Sequence, residues 1–99
     1  MIARIWHGRA AASDAAAYLE YVLSSGIPAY LAASGNLGAW VFRRLDDHTA
    51  DFITLSFWES FDAIAAFTGD DIGAAKFFPD DEKYLLELES EATHYEAYQ

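Results

Sequence analysis

Four segments rich in apolar and aromatic residues predict strands along the chain. Residues 1–7 (MIARIWH) are rich in Ile and Trp, and residues 37–45 and 50–58 carry closely spaced apolar and aromatic side chains. The short polar segment DDHT separates the last two of these and has the length and polarity of a hairpin linker. Residues 92–98 (ATHYEAY) alternate near the end of the chain. These segments predict four strands, the middle two joined as a hairpin.

Apolar residues at helical spacing predict two helices between the strands. Residues 12–25 carry apolar side chains at helical spacing, and Gly26 ends or kinks that helix. Ser60 has the position and chemistry of an N-cap for the second helix. We expect this helix to break at Gly69 and to resume over residues 70–78.

The predicted element order is strand, helix, strand, strand, helix, strand. This order indicates the α+β class and a ferredoxin-like βαββαβ fold, with helices on one face of a four-stranded antiparallel sheet. Residues 79–90 are expected to add only a short helix and a linker. Because no repeat or low-complexity stretch divides the chain, residues 1–99 are expected to form a single domain.

The predicted sheet has no clearly polar face. The strand at residues 50–58 places Leu55 and Phe57 on one face and Phe52 and Trp58 on the other. Two helices can cover only one of these faces. The other face would carry polar side chains if it were exposed to solvent, but its side chains are apolar. We therefore expect a second copy of the chain to cover the other face in a homodimer.

Composition narrows the class of partner. The chain has 54% hydrophobic and 16% aromatic residues, more apolar material than a 99-residue monomer easily buries. Its net charge of −10, with only six Lys plus Arg, argues against nucleic acid and anionic membrane surfaces as partners. There are no cysteines, and the three histidines lack metal-ligand spacing, so no metal site is predicted. No apolar run predicts a secretory leader or a membrane span, so a cytoplasmic location is expected.

Three segments, MIARIWHGR, FWESFDAIAAF and ATHYEAY, resemble the antibiotic biosynthesis monooxygenase-like family of dimeric α/β barrels. The resemblance covers nearly the whole chain and rests on the element order and on the corner Trp58-Glu59-Ser60. It implies a dimeric α/β barrel that oxidises an aromatic, polyketide-like or quinol substrate with dioxygen. It also implies that the reaction needs no metal or organic cofactor.

The haem-degrading branch of that superfamily carries an asparagine on the first strand, a tryptophan on the corner helix and a histidine further along. The corresponding positions here hold His7, Phe67 and Phe77, so none of the three matches. Haem degradation is therefore a third interpretation. The second is a dimeric module that binds a hydrophobic small molecule without turning it over.

Three residues are candidates for the chemistry. His94 or His7 could serve as the general base, because an unperturbed imidazole titrates near pH 6.5. Glu96 is a loose candidate to orient His94. Arg4 lies in an apolar strand and must find a partner, either a carboxylate or the oxyanion of a phenolate substrate.

Aromatic residues are the candidates for walls of a substrate pocket. Trp58 stands where a strand meets a helix and could orient a planar aromatic ring, although it could equally pack the corner. The other candidates are Trp6, Trp40, Phe67 and Tyr18. The acidic runs, including Asp80-Asp81-Glu82, are expected to be solvated caps and loops.

Overall fold

The computed structural model describes residues 1–99 and has the α+β, ferredoxin-like fold that the sequence predicts. Its elements in chain order are β1 (Ile2–Ala11), a 3₁₀ turn (Ala12–Asp14), α1 (Ala15–Ser24), α2 (Gly26–Ala32), β2 (Asn36–Leu45), β3 (Thr49–Trp58), α3 (Phe61–Thr68), α4 (Asp81–Tyr84), β4 (Leu85–Leu88) and β5 (Thr93–Glu96).

One antiparallel sheet with the order β2-β3-β1-β4 organises the molecule. Its central strand β1 pairs along its whole length with β3, so that Ile2 lies opposite Trp58 and Ala11 opposite Thr49. The other edge of β1 is shared: β5 pairs with residues 2–5, and β4 pairs with residues 8–10. Residues 4, 6 and 8 of β1 therefore lie at the centre of the sheet.

The helices pack on one face of this sheet, which we call the helix face. Phe52, Ser56 and Trp58 of β3 point to this side and are buried. The core forms between them and the buried residues of the helices, which include Tyr18, Val22, Ile27, Tyr30 and Ile64. Burial of these large side chains is the main favourable term for the fold.

The opposite side of the sheet, the open face, has no helix over it. Trp40 is 50% exposed and Phe42 is 49% exposed, and both lie on this side. The strand register brings Trp40 opposite Leu55 and Phe42 opposite Ile53, so the exposed rings continue an apolar surface. Trp40 also meets Phe57 edge to face, with 5.9 Å between ring centroids.

The Ser60 cap of α3 is present as predicted. Its Oγ accepts a hydrogen bond from the backbone N–H of Ala63 at 3.1 Å. Gly69 ends the helix with φ +92°, a backbone conformation that glycine adopts without strain. The turn before β2 packs closely on this helix, because a Cβ at Gly35 would lie 2.6 Å from the Cβ of Ala63.

Two predictions for the second half of the chain are wrong. Residues 70–78 do not resume the helix but form an irregular stretch, and residues 85–88 form strand β4 instead of a linker. We call residues 69–80 the covering segment. Its backbone groups bond to distant parts of the chain: Ala75 N–H donates to Ser90 O at 2.9 Å, and Gly73 O accepts from Ala92 N–H at 2.8 Å. These bonds replace the local bonds of a helix.

No helix of the structure is long and apolar enough to cross a membrane.

Candidate functional site

A narrow cleft of about 30 Å³, partly open to solvent, lies on the helix face. The sheet supplies Arg4 and Trp6 to its lining, and α1 supplies Tyr18. The covering segment and α4 close the far side with Phe77, Phe78 and Asp81. This volume is enough for a water molecule but is below the roughly 300–1,000 Å³ of a small-molecule site, so a ligand would have to displace part of the covering segment. The lining itself, aromatic rings with a few polar groups, is the usual one for such sites.

Arg4 is the most deeply buried charged residue of the cleft, at 2% exposed. Its Nη1 donates to Ile72 O at 2.6 Å, and its Nη2 donates to Ala74 O at 3.0 Å. The guanidinium therefore ties the covering segment to the sheet. Its third contact joins Nη1 to Nε2 of His94 at 2.9 Å.

The partners of Arg4 are all uncharged. No carboxylate forms an ion pair with it, so the alternative that Arg4 pairs with a carboxylate is wrong. Its buried Nε–H has no partner in the protein. A buried charge without a counter-ion is costly, and an anionic ligand in the cleft would lower that cost.

His94 lies beside Arg4 and does not line the cleft. Because a guanidinium only donates, Nε2 of His94 must be the acceptor, which assigns the proton of the neutral ring to Nδ1. Burial, together with the charge of Arg4, lowers the pKa of His94. Glu96 does not orient this ring, since its carboxylate accepts from the Tyr98 hydroxyl at 2.9 Å.

His7 lies on the open face, on the other side of the sheet from the cleft. Its ring nitrogens are 3.9 Å from Asp51 Oδ1 and 3.9 Å from Glu89 Oε1. Successive residues of a strand point to opposite faces, so His7 cannot share a face with Arg4 and Trp6. The structure thus separates the two histidines that were nominated as alternative bases.

Trp6 forms a fixed wall of the cleft. Its Nε1–H donates to Glu89 O at 2.6 Å, and its ring meets Phe77 edge to face with 6.2 Å between centroids. The ring lies across Gly8, where a Cβ would collide with it. The glycine therefore leaves the space that this orientation of the indole requires.

Trp58 packs the corner between β3 and α3 and does not reach the cleft. It is 0% exposed, and its Nε1–H donates to Ser56 Oγ at 2.9 Å. Its ring centroid is 5.4 Å from that of Phe67 and 6.3 Å from that of Tyr30. A fully buried indole has no surface for a ligand, so the position of Trp58 is that of a core residue.

Phe67 and Trp40, two further candidates for pocket walls, also lie outside the cleft. Phe67 borders a shallow alanine-rich groove between α2 and α3, and the ammonium of Lys76 sits 4.3 Å from its ring centroid. Trp40 lies on the open face. Of the five predicted wall residues, Trp6 and Tyr18 are the two that line the cleft.

Asp81 is the residue that sequence reasoning missed. It was expected to be solvated, yet it is 6% exposed and lines the cleft. Its Oδ1 accepts from the Tyr18 hydroxyl at 3.0 Å, and its Oδ2 accepts from Phe78 N–H at 2.6 Å. Burial, together with the charge of Asp81, raises the pKa of Tyr18, so this phenol remains a donor. The only hint in the sequence is the apolar pair Phe77-Phe78 just before the acidic run.

The site offers no ready metal centre. No group of three or more His, Asp or Glu side chains is arranged to hold a metal ion. No histidine lines the cleft, and Nε2 of the nearby His94 is engaged by Arg4. The cleft therefore has no histidine to serve as a haem iron ligand.

Comparison with known proteins supports the fold. No protein-family model and no curated protein matches the chain. Among solved structures, the chain is similar to the crystal structure of a variant of MhuD with two manganese protoporphyrin IX bound per active site. The TM-score is 0.63 at 15% sequence identity, and the match covers 100% of this chain and 96% of that chain. At this identity the likeness establishes the fold alone, a sheet with helices on one face.

Proposed function

We propose that the protein is a small oxygenase of the antibiotic biosynthesis monooxygenase-like type, which oxidises an aromatic, polyketide-like or quinol substrate with dioxygen. The observation that carries this proposal is the buried guanidinium of Arg4, which lines an aromatic cleft without a carboxylate partner. Such a cation suits the oxyanion of a phenolate or enolate. The substrate anion itself would supply the reducing electrons, so the protein needs no metal or organic cofactor.

The chemistry begins with removal of a proton from a phenol or an anthrone-like carbon acid. The electron pair stays on the substrate, and the resulting oxyanion accepts a hydrogen bond from Arg4. This anion passes one electron to dioxygen, and the substrate radical and superoxide combine to form a peroxide. Loss of water from the peroxide leaves a carbonyl group. In sum, a methylene and one dioxygen give a ketone and one water.

The cleft residues have distinct roles in this scheme. Trp6 and Phe77 form the wall against which a planar ring can stack, and they keep water from the reacting carbon. Arg4 holds the oxyanion. His94 supports Arg4 as a neutral acceptor and is a poor choice of base while Nε2 is occupied. His7 lies on the other face and takes no part.

We further propose that the working form is a homodimer in which two open faces meet as a dimeric α/β barrel. The exposed rings of Trp40 and Phe42 continue an apolar surface formed by Ile53 and Leu55. Arg9 and Asp51 form an ion pair at 2.8 Å near one end of this surface, which places polar groups at its edge. An apolar centre with a polar rim is the usual arrangement of a stable interface.

A binding module without turnover is the second candidate. The absence of histidine from the cleft favours it, because the most common general base is then missing. The neighbouring structure, MhuD, binds manganese protoporphyrin IX, a large planar ring with anionic groups. An anionic aromatic ligand held by Arg4 would fit this candidate equally well.

Oxygen uptake separates the two candidates. The chain, dialysed against a chelator and free of flavin by absorbance, is given dioxygen and a panel of hydroxyanthrones and quinols. The oxygenase predicts uptake of one dioxygen per substrate consumed, with formation of the ketone or quinone. Protection of the protein against thermal unfolding without uptake above the uncatalysed rate would instead support the module.

A further inference from the structure

The cleft holds two buried charges that do not touch each other. Arg4 lies on the sheet side and Asp81 on the side of α4, and both line the same space. No ion pair joins them, since every close partner of Arg4 is a carbonyl or His94. A ligand placed between them would meet a cation at one end and an anion at the other.

We propose that Asp81 is the group that takes the proton from the ligand, and that Tyr18 positions it. This inference rests on the proposed function, because it names the base for that reaction. The proton moves from a ligand C–H or O–H to a carboxylate oxygen of Asp81. The electron pair stays on the ligand as an enolate or phenolate oxygen beside Arg4.

Tyr18 and Lys76, which also line the cleft, are excluded as proton acceptors by their contacts. The Tyr18 hydroxyl donates to Asp81, and its raised pKa keeps it protonated. Lys76 is a cation that donates to Phe67 O at 3.2 Å and lies over the Phe67 ring. No histidine or other carboxylate lines the cleft, so Asp81 is the only side chain there of the kind that commonly acts as a general base.

Asp81 keeps the capacity to accept a proton. Each oxygen of a carboxylate has two acceptor positions, and each oxygen of Asp81 uses one of them, for Tyr18 or for Phe78 N–H. The two bonds also fix the plane of the carboxylate. A rotationally fixed base is what rapid proton transfer in a closed site requires.

Charge balance favours this transfer. Before it, the cleft holds Arg4 as a cation and Asp81 as an anion; after it, Asp81 is neutral and the anion is the ligand oxygen beside Arg4. No new buried charge is created, because the negative charge only moves closer to the cation. A carboxylate is a sufficient base when an oxyanion donor stabilises the product in this way.

Deuterium exchange without oxygen tests the inference apart from the oxidation. The full chain is incubated anaerobically with a dihydroxyanthrone deuterated at its methylene carbon, and washout of deuterium is followed by NMR. We expect Asp81→Asn to slow the washout by about 10²–10⁴-fold, the usual contribution of a positioned base. Binding of the probe, read from quenching of tryptophan fluorescence, should change little. Asp80→Asn, which removes an exposed neighbouring carboxylate, is the matched control.

A second variant covers the case in which Asp81→Asn does not fold. Tyr18→Phe keeps the ring and removes the hydroxyl that favours the ionised form of Asp81. The pH at which washout falls off on the acid side should therefore move upward. An unmoved acid limb would overturn the inference.

Other outcomes would also decide whether Asp81 is the base and whether the protein is an oxygenase. If Asp81→Asn washes out deuterium at the wild-type rate, the role of Asp81 is overturned. The oxygenase proposal would still stand in that case if the wild type takes up oxygen. A probe that binds the wild type without washout, or that does not bind at all, would overturn the inference directly. Washout that depends on Asp81 but leads to no oxygen uptake would support the base and overturn the oxygenase.

Discussion

Arg4 donates through Nη1 to Nε2 of His94 at 2.9 Å, across the pairing of β1 with β5. The two residues lie directly opposite each other in the strand register. Arg4 is a permanent cation, so the contact is favourable only while the imidazole is neutral. A protonated His94 would present an N–H to a guanidinium and lose the bond. The charge state of His94 is thus coupled to the residue that holds the covering segment.

This coupling predicts a loss of stability in mild acid. The pKa of His94 is lower in the folded chain than in the unfolded chain, so the unfolded state binds the extra proton more readily. Stability is therefore full above the unfolded value of about pH 6.5 and falls as the pH drops through the lower folded pKa. Urea unfolding as a function of pH should show this decline.

His94→Gln isolates the contribution of the imidazole. Glutamine can accept the same hydrogen bond from Arg4 through its carbonyl oxygen but does not titrate. We expect its stability to depend less steeply on pH over the same range. His48→Gln, in the exposed hairpin, should keep the wild-type slope. Equal slopes in the wild type and His94→Gln would contradict the coupling.

Arg4→Lys should weaken the attachment of the covering segment. Lysine has a single charged nitrogen and cannot donate to Ile72 O and Ala74 O in the geometry of the guanidinium fork. Each buried carbonyl left without a donor costs about 1–3 kcal/mol, so the free energy of unfolding should fall by about that amount or more. Urea unfolding measures it, and Arg43→Lys on exposed β2 serves as the control.

The same variant should show where stability is lost. The amide protons of Ala75 and Ala92, which bond the covering segment to the region before β5, should exchange faster with solvent. Amides that exchange through local openings elsewhere, such as those at the exposed turn between β2 and β3, should keep their wild-type rates, because these openings leave the Arg4 contacts intact. A uniform change at all amides would mean that Arg4 stabilises the sheet as a whole and not this segment.

The strands and the first helices could be predicted because their pattern is local. Closely spaced apolar and aromatic residues located β1, β2 and β3, alternation located β5, and the Ser60 cap located the start of α3. The covering segment could not be predicted in the same way. Its conformation depends on Arg4, which is 68 residues away from Ile72 in sequence, and such a bond leaves no trace in the local pattern.

Part of the candidate site could be predicted because it depends on a local pattern, the alternation of side chains along a strand. Arg4 and Trp6 share a face because they are two residues apart on a strand, and this rule also assigns His7 to the other face. The strand pattern of the sequence therefore conflicts with His7 as a base for the same cleft. The burial of Asp81 was not available, because it follows from the long-range contact with Tyr18.

Ser56→Ala tests the interpretation of Trp58 as a core residue. The serine Oγ is the acceptor for the buried indole N–H, and alanine would leave that donor without a partner. Unfolding should become easier by about 1–3 kcal/mol, the usual cost of a buried unpaired donor. Ligand binding in the cleft should be unaffected, since neither residue lines it. Ser34→Ala, at an exposed position, is the control for stability.

A lowered ligand affinity in folded Ser56→Ala would contradict this interpretation. It would mean that the corner around Trp58 communicates with the cleft or forms part of it. An unchanged free energy of unfolding would mean that the indole finds another acceptor.

Trp40→Ser tests the homodimer. The wild type should sediment as a dimer at micromolar concentration, and its unfolding midpoint should rise with protein concentration, because association favours the folded state. Replacing a half-exposed indole on the edge strand β2 of the open face removes a large apolar contact from each chain. The variant should dissociate and lose the dependence of its midpoint on concentration. Leu31→Ser, on exposed α2, removes apolar surface elsewhere and should remain a dimer.

Salt should strengthen this association rather than weaken it. Two chains of net charge −10 repel each other, so the apolar contact must outweigh that repulsion, and added salt screens the repulsion without reducing apolar burial. An interface held by ion pairs would respond in the opposite direction. A stable pairing of the open faces would bury about 2,000 Å² in total if the dimer is obligate. A wild type that sediments as a monomer at micromolar concentration in moderate salt would rule out the barrel, and the rings of Trp40 and Phe42 would then need a different cover.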